Sequence, residues 1–74
     1  MKHEIIMITT PFIKLDALLK FAAIAQTGGH AKEMIVQGAV RVDGEVCLQR
    51  GRKIQPGMTV IVDDHVLEVS DSVD

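Results

Sequence analysis

Tryptophan and tyrosine are absent, and Phe12 and Phe21 are the whole aromatic complement. This excludes the aromatic stacking platform used by many single-strand nucleic-acid binders. Cys47 is the single cysteine, so no intrachain disulfide can form, and the bridged frameworks of small secreted domains are ruled out. Long apolar runs are missing as well. At the N-terminus Met1-Lys2-His3-Glu4 is followed by just four apolar residues, Ile5 to Ile8, against the ~7–15 residues of a signal-peptide core and the ~20 of a membrane span. A soluble protein of a reducing cytoplasm, with no membrane association, is expected.

Catalytic signatures are equally scarce. The chain has no Walker-type loop, no Gly-x-Ser-x-Gly and no His-Glu-x-x-His, the short motifs that carry phosphate, acyl-transfer or zinc chemistry. Cys47 falls in a predicted strand with no histidine nearby and reads as a small core residue. His3, His30 and His65 belong to three different elements without metal-ligand spacing. A non-enzymatic protein without metal or cofactor is expected.

What the chain does have is an aliphatic core in a small package. Apolar residues make up 47% of its 74 residues and charged residues 24%, which is globular usage. That length allows one domain spanning 1–74. Such a chain buries about 60% of its unfolded surface. Little material is left to wall a large catalytic pocket.

The net charge of −2 hides an asymmetry. Residues 1–53 hold all eight Lys and Arg and five of the ten carboxylates, whereas residues 54–74 hold five carboxylates and no Lys or Arg. Charge segregation of this kind is a hint of polyanion binding on one side, and on charge alone an ordinary solvated surface with an acidic tail accounts for it as well.

Hydrophobic periodicity gives the order of elements. Residues 4–8 read as a strand. Leu15, Leu18, Leu19 and Ala22 recur at i, i+3, i+4, i+7, one face of a helix, with Thr10-Pro11 as its candidate start and Thr27-Gly28-Gly29 as its limit. A second, shorter helix carries Ala31, Met34 and Ile35, with Thr27 as N-cap and Gly38 at the C-terminal cap. Val40 to Leu48 reads as a hairpin around Asp43-Gly44, a type I′ turn pair. Its pattern puts Val40, Val42 and Cys47 on one face and Val46 and Leu48 on the other, with a bulge as one way to set the register. Gln55-Pro56-Gly57 is a turn, Thr59–Val62 a strand, Asp63-Asp64 a turn and Val66–Val69 a last strand. The acidic tail 70–74 is expected to fray. The fold class is α+β: two short helices packed on a small antiparallel sheet with a β-hairpin.

Two stretches could hold phosphate. In Thr27-Gly28-Gly29-His30-Ala31-Lys32 a glycine turn opens a helix. The first amides of a helix lack intrahelical partners and favour anions. Gly28 and Gly29 admit close approach, and Lys32 adds charge. Arg50-Gly51-Arg52-Lys53 offers three cations in four residues, and Arg grips phosphate through two parallel hydrogen bonds. Lys14 and Lys20 lie off the leucine face of the first helix.

These pieces resemble a known family. Ile13-Lys14-Leu15-Asp16 is similar to the Arg-Leu-Asp that opens the S-four domain, an RNA-binding module named after a ribosomal small-subunit protein. Gln37-Gly38-Ala39-Val40-Arg41-Val42-Asp43-Gly44 resembles its Gln-Gly-x-Val-x-Val-Asn-Gly. Residues 27–32 and 50–54 resemble the Ser-Gly-Gly-x-Ala-Lys and Arg-Gly-Arg-Lys-Leu stretches of its small stand-alone bacterial members of the YbcJ/YaaA type. Lys14 stands where the wider domain often has Arg, Thr27-Gly28 where it has Ser-Arg, and Gly57-Met58 where it has Gly-Asp.

The resemblance implies an αL motif over about 12–48: helix, turn, helix, hairpin. It implies a non-enzymatic RNA-binding protein that recognises structured RNA, with ribosomal and transfer RNA as candidate targets. Lys14, Gly28, Gly29, Lys32, Arg50, Arg52 and Lys53 are the implied contacts, with Lys20 and Arg41 as lesser ones. A monomer is expected. The rival reading is a protein-interaction adaptor of the same fold with little RNA affinity, its acidic C-terminal third docking on a basic partner such as a ribosomal protein.

Overall fold

The computed structural model describes residues 2–71. The elements run β1 (Lys2–Ile8), β2 (Ile13–Lys14), α1 (Leu15–Phe21), α2 (Gly28–Val36), β3 (Val40–Val42), β4 (Glu45–Val46), β5 (Lys53–Ile54), β6 (Thr59–Val62) and β7 (His65–Asp71). Five strands form one sheet in the order β1-β7-β6-β3-β4, and β2 pairs with β5 in a separate ribbon. Both helices pack on one face of the larger sheet, as the α+β reading expects.

The core follows from the two periodicities. Val40 and Val42 face inward from β3 and pair in register with Val62 and Val60 of β6. Leu67 and Val69 of β7, with Ile6 and Ile8 of β1, continue the same buried face. Leu15, Leu18 and Leu19 of α1, and Ala31 and Ile35 of α2, close over it. Cys47 is buried in this cluster, the core role expected of it.

The hairpin forms as its turn chemistry dictates. Asp43 and Gly44 both take positive φ, 51° and 89°, as a type I′ turn requires. The register runs Val42↔Glu45 and Arg41↔Val46 with no extra residue, and Cys47 N–H reaches Val40 C=O at 3.0 Å. The expected faces are therefore met without a bulge.

The second helix carries its predicted caps. Thr27 Oγ1 accepts the His30 N–H at 3.0 Å. Gly38, at φ 81°, closes a Schellman motif: its N–H donates to Ile35 C=O and the Ala39 N–H to Met34 C=O.

Three expectations change. The first helix begins at Leu15, not near Pro11. Ile13 and Lys14 are extended instead, paired with Ile54 and Lys53. The first helical amides then find acceptors far along the chain: Leu15 N–H donates to Arg52 C=O at 2.9 Å and Asp16 N–H to Arg50 C=O at 3.1 Å. Second, the sheet is not purely antiparallel, because β1 runs parallel to β7 from Lys2↔His65 to Ile8↔Asp71. Third, that pairing carries Ser70 and Asp71 into β7, so the expected fraying does not begin at Ser70. Residues 72–74 of the expected tail lie outside the described residues.

The first helix also ends in a Schellman motif. Ala23 N–H donates to Lys20 C=O and Ile24 N–H to Leu19 C=O. The left-handed position here falls on an alanine, Ala23, at φ 61°. An L side chain is strained in that conformation by about 1–2 kcal/mol, while glycine is not. Ala23 is exposed, so no packing offsets the strain. Ala23→Gly is therefore expected to raise stability by about 0.5–1 kcal/mol after the added entropy of the unfolded chain is counted, measured as a shift in denaturation midpoint.

Candidate functional site

The ribbon β2–β5 brings separate parts of the sequence together. Lys14 and Lys53 stand directly opposite each other in its register. The carbonyls of Arg50 and Arg52 hold the first two amides of α1. Lys14, Arg50, Arg52 and Lys53, all exposed, thus cluster where α1 begins. A further bond from Arg52 N–H to Gln49 C=O at 3.2 Å shapes the turn that carries them.

Like charges placed directly opposite in a ladder repel. Among the described residues no Lys or Arg nitrogen lies within 4.0 Å of a carboxylate oxygen. Asp16, the nearest acid in sequence, turns its Oδ1 back to the Ala17 N–H at 2.7 Å. The four cations of this cluster thus make no ion pair among the described residues. Lys53 Nζ sits 4.9 Å from the centroid of the Phe12 ring, a cation–π contact that steadies the lysine. Nothing in the spacing of Phe12 and Lys53 signals that contact.

The second helix offers a different kind of anion site. Thr27 caps the His30 amide, and Ala31 N–H donates to Thr27 C=O at 3.0 Å. The Gly28 and Gly29 amides have no protein partner among the described residues. A Cβ built on Gly28 would meet nothing within 4 Å, and one on Gly29 would meet only Thr27 Oγ1 at 3.9 Å. Both glycines lie inside the helix and neither has positive φ. Their value is open space, not unusual backbone angles. Lys32 is exposed one turn further on. No hydrogen bond or ion pair joins this end of α2 to the cluster at α1.

The two lesser candidates divide. Lys20 is exposed in the last turn of α1, on the helical layer. Arg41 lies between the inward-facing Val40 and Val42 on β3, whose burial alternates. It therefore projects from the opposite face of the sheet and is separated from the other cations. Of the C-terminal carboxylates among the described residues, Asp63 and Asp64 lie in the β6–β7 turn, and Glu68 and Asp71 are exposed on β7. Among the described residues no group of three or more His, Cys, Asp or Glu could hold a metal ion, and no helix is long and apolar enough to cross a membrane.

Two short helices, a turn and a hairpin, with a basic loop locked to the first helix, define an αL-motif fold. A family model described as S4 domain matches residues 6–70, and the chain belongs to that family. YbcJ of Escherichia coli (strain K12) is 37% identical over 59 residues, covering 80% of this chain and 84% of that protein. YbcJ of Shigella flexneri matches to the same extent. The solution structure of E. coli YbcJ, described as revealing an αL motif involved in RNA-binding, superposes with a TM-score of 0.69 at 33% identity. That match covers 89% of this chain and 85% of the other.

Proposed function

We propose that this chain is a non-enzymatic RNA-binding protein of the cytoplasm, acting as one unit over residues 1–74, and that it recognises structured RNA, ribosomal or transfer RNA being the candidates. The observation that carries the reading is the pairing of Lys14 against Lys53, beside Arg50 and Arg52, with no ion pair to any of the four among the described residues. Such an arrangement raises the energy of the free protein and is relieved by a polyanion. The RNA-binding motif described for the similar E. coli structure supports it.

The mechanism is electrostatic and geometric. A-form RNA is recognised mostly by its shape and through its phosphates and 2′-hydroxyls. Lys14, Arg50, Arg52 and Lys53 contact the backbone of one strand. Lys20, the Gly28 and Gly29 amides and Lys32 supply further phosphate contacts from the helical layer. Backbone contacts of this kind fix register and orientation, while shape selects the target.

Lys14→Glu separates function from stability. It replaces a repulsive cross-strand pair with an attractive one, so the fold should gain about 0.2–1 kcal/mol while RNA affinity falls. A denaturant melt and an RNA titration on the same variant check both directions. Crosslinking in cells followed by sequencing tests the function directly. Enrichment of structured RNA crosslinked to this chain is expected. A chain recovered with ribosomal proteins but without RNA crosslinks supports the adaptor reading instead.

A further inference from the structure

The two edges of the sheet are built differently. At one edge β4 is two residues long, which is how natural proteins blunt an edge against pairing. At the other, β1 is seven residues long. From Ile5 to Ile8 it has no charge, proline or bulge to guard it.

The hydrogen-bond parity of β1 is fixed. Lys2 N–H donates to Asp64 C=O, so Lys2, Glu4, Ile6 and Ile8 direct their backbone groups toward β7. His3, Ile5 and Met7 direct theirs to the open edge. On the face away from the helices, Ile5 is 66% and Met7 50% exposed.

We propose that this edge pairs antiparallel with β1 of a second copy of the chain, with the twofold axis at Ile5, joining the two sheets into one. The register is self-selecting. Ile5 opposite Ile5 of the second copy sets His3 opposite Met7 on both sides. All three outward residues then form hydrogen-bonded pairs, each exchanging two bonds. A shift of two residues either way loses one of those pairs, and a shift of one opposes outward groups to inward ones.

Side chains on the face away from the helices agree with the same register, while on the other face Glu4 falls opposite Ile6 of the second copy and diagonal to its Glu4. Ile5 meets Ile5, and each Met7 meets a His3, so the exposed apolar residues cover one another. Lys2 of the second copy falls opposite Ile8, whose other neighbour is Asp71. Lysine and aspartate then share a face two strands apart, about 10 Å between Cα atoms, within reach of their side chains. The two Glu68 carboxylates are three strands apart, about 14 Å, beyond the screening length at physiological salt. The pairing departs from the monomer expected of the sequence and keeps both helical layers on the same side of the joined sheet.

Sedimentation from about 10 μM to about 1 mM, with amide hydrogen exchange on the same samples, tests this. The sedimenting mass should rise from 8.1 kDa toward twice that value. The amides of His3, Ile5 and Met7 should gain protection with concentration, while those of Glu4, Ile6 and Ile8 are protected throughout. Ile5→Pro removes an outward N–H and leaves the β1–β7 ladder intact. It should hold the mass at one chain with an unchanged far-UV spectrum. Ile5→Lys should do the same if proline perturbs the strand. A mass that stays at 8.1 kDa up to about 1 mM overturns the proposal. So does association that survives in both variants, or that leaves the three amides unprotected.

Discussion

Leu18→Ala is expected to lower stability by about 2–5 kcal/mol. Leu18 is fully buried, with Leu15 and Leu19, between α1 and the sheet. The variant loses the transfer free energy of the removed carbons and leaves a cavity in a close-packed interior. A chain of 74 residues has few kcal/mol in reserve, so the midpoint of a urea melt should collapse or the folded baseline disappear. The same change at the exposed Lys20, two residues on, should stay within about 0.5 kcal/mol. A melt of Leu18→Ala that matches the parent would show that α1 does not carry the core.

Replacing Arg50, Arg52 and Lys53 together with alanine should weaken RNA binding by about 100-fold near physiological salt, with little change in the far-UV spectrum. The size follows from counterion release. Each lost phosphate contact removes about 0.7–0.9 from the slope of log affinity against log salt, so three should flatten it by about 2–3. The backbone of this loop is what holds α1, through the Arg50 and Arg52 carbonyls, and alanine keeps those carbonyls. Truncation therefore removes charge and leaves the anchor. The Phe12 contact of Lys53 is lost as well, at about 0.5–1 kcal/mol for an exposed pair. Measuring affinity at several salt concentrations on parent and variant separates charge loss from unfolding, since unfolding would not change the slope selectively.

Local chemistry was readable wherever a few neighbouring residues decide the outcome. Thr27 caps α2 and Gly38 closes it because an N-cap hydroxyl and a left-handed glycine act within one turn. Asp43-Gly44 sets the hairpin for the same reason. The start of α1 was not readable, because its first amides are satisfied by carbonyls at positions 50 and 52. Two-residue strands such as β2 and β5 carry no periodic signal. The parallel placement of β1 on β7 joins opposite ends of the chain, and it extends β7 into polar residues that composition alone marks as tail.

The site divides in the same way. Three cations in the 50–53 loop are visible as composition, and the open approach to Gly28 and Gly29 follows from glycine itself. The juxtaposition of Lys14 with Lys53 depends on the ribbon and is invisible before folding. Arg41 could have been set apart from the start, since inward Val40 and Val42 force it outward on a strand of period two. Phe21, exposed on the last turn of α1, has no packing role that its sequence neighbours reveal.

RNA is expected to bind the face built from the start of α1 and the 50–53 loop. Chemical-shift mapping of the backbone amides, with a short RNA hairpin titrated into the protein, tests it most directly. Residues 14–16 and 50–53 should shift first and together, with residues 28–32 following, while residues 63–71 stay still. Shifts confined to the acidic residues 63–71, or none at a hairpin excess, would contradict it.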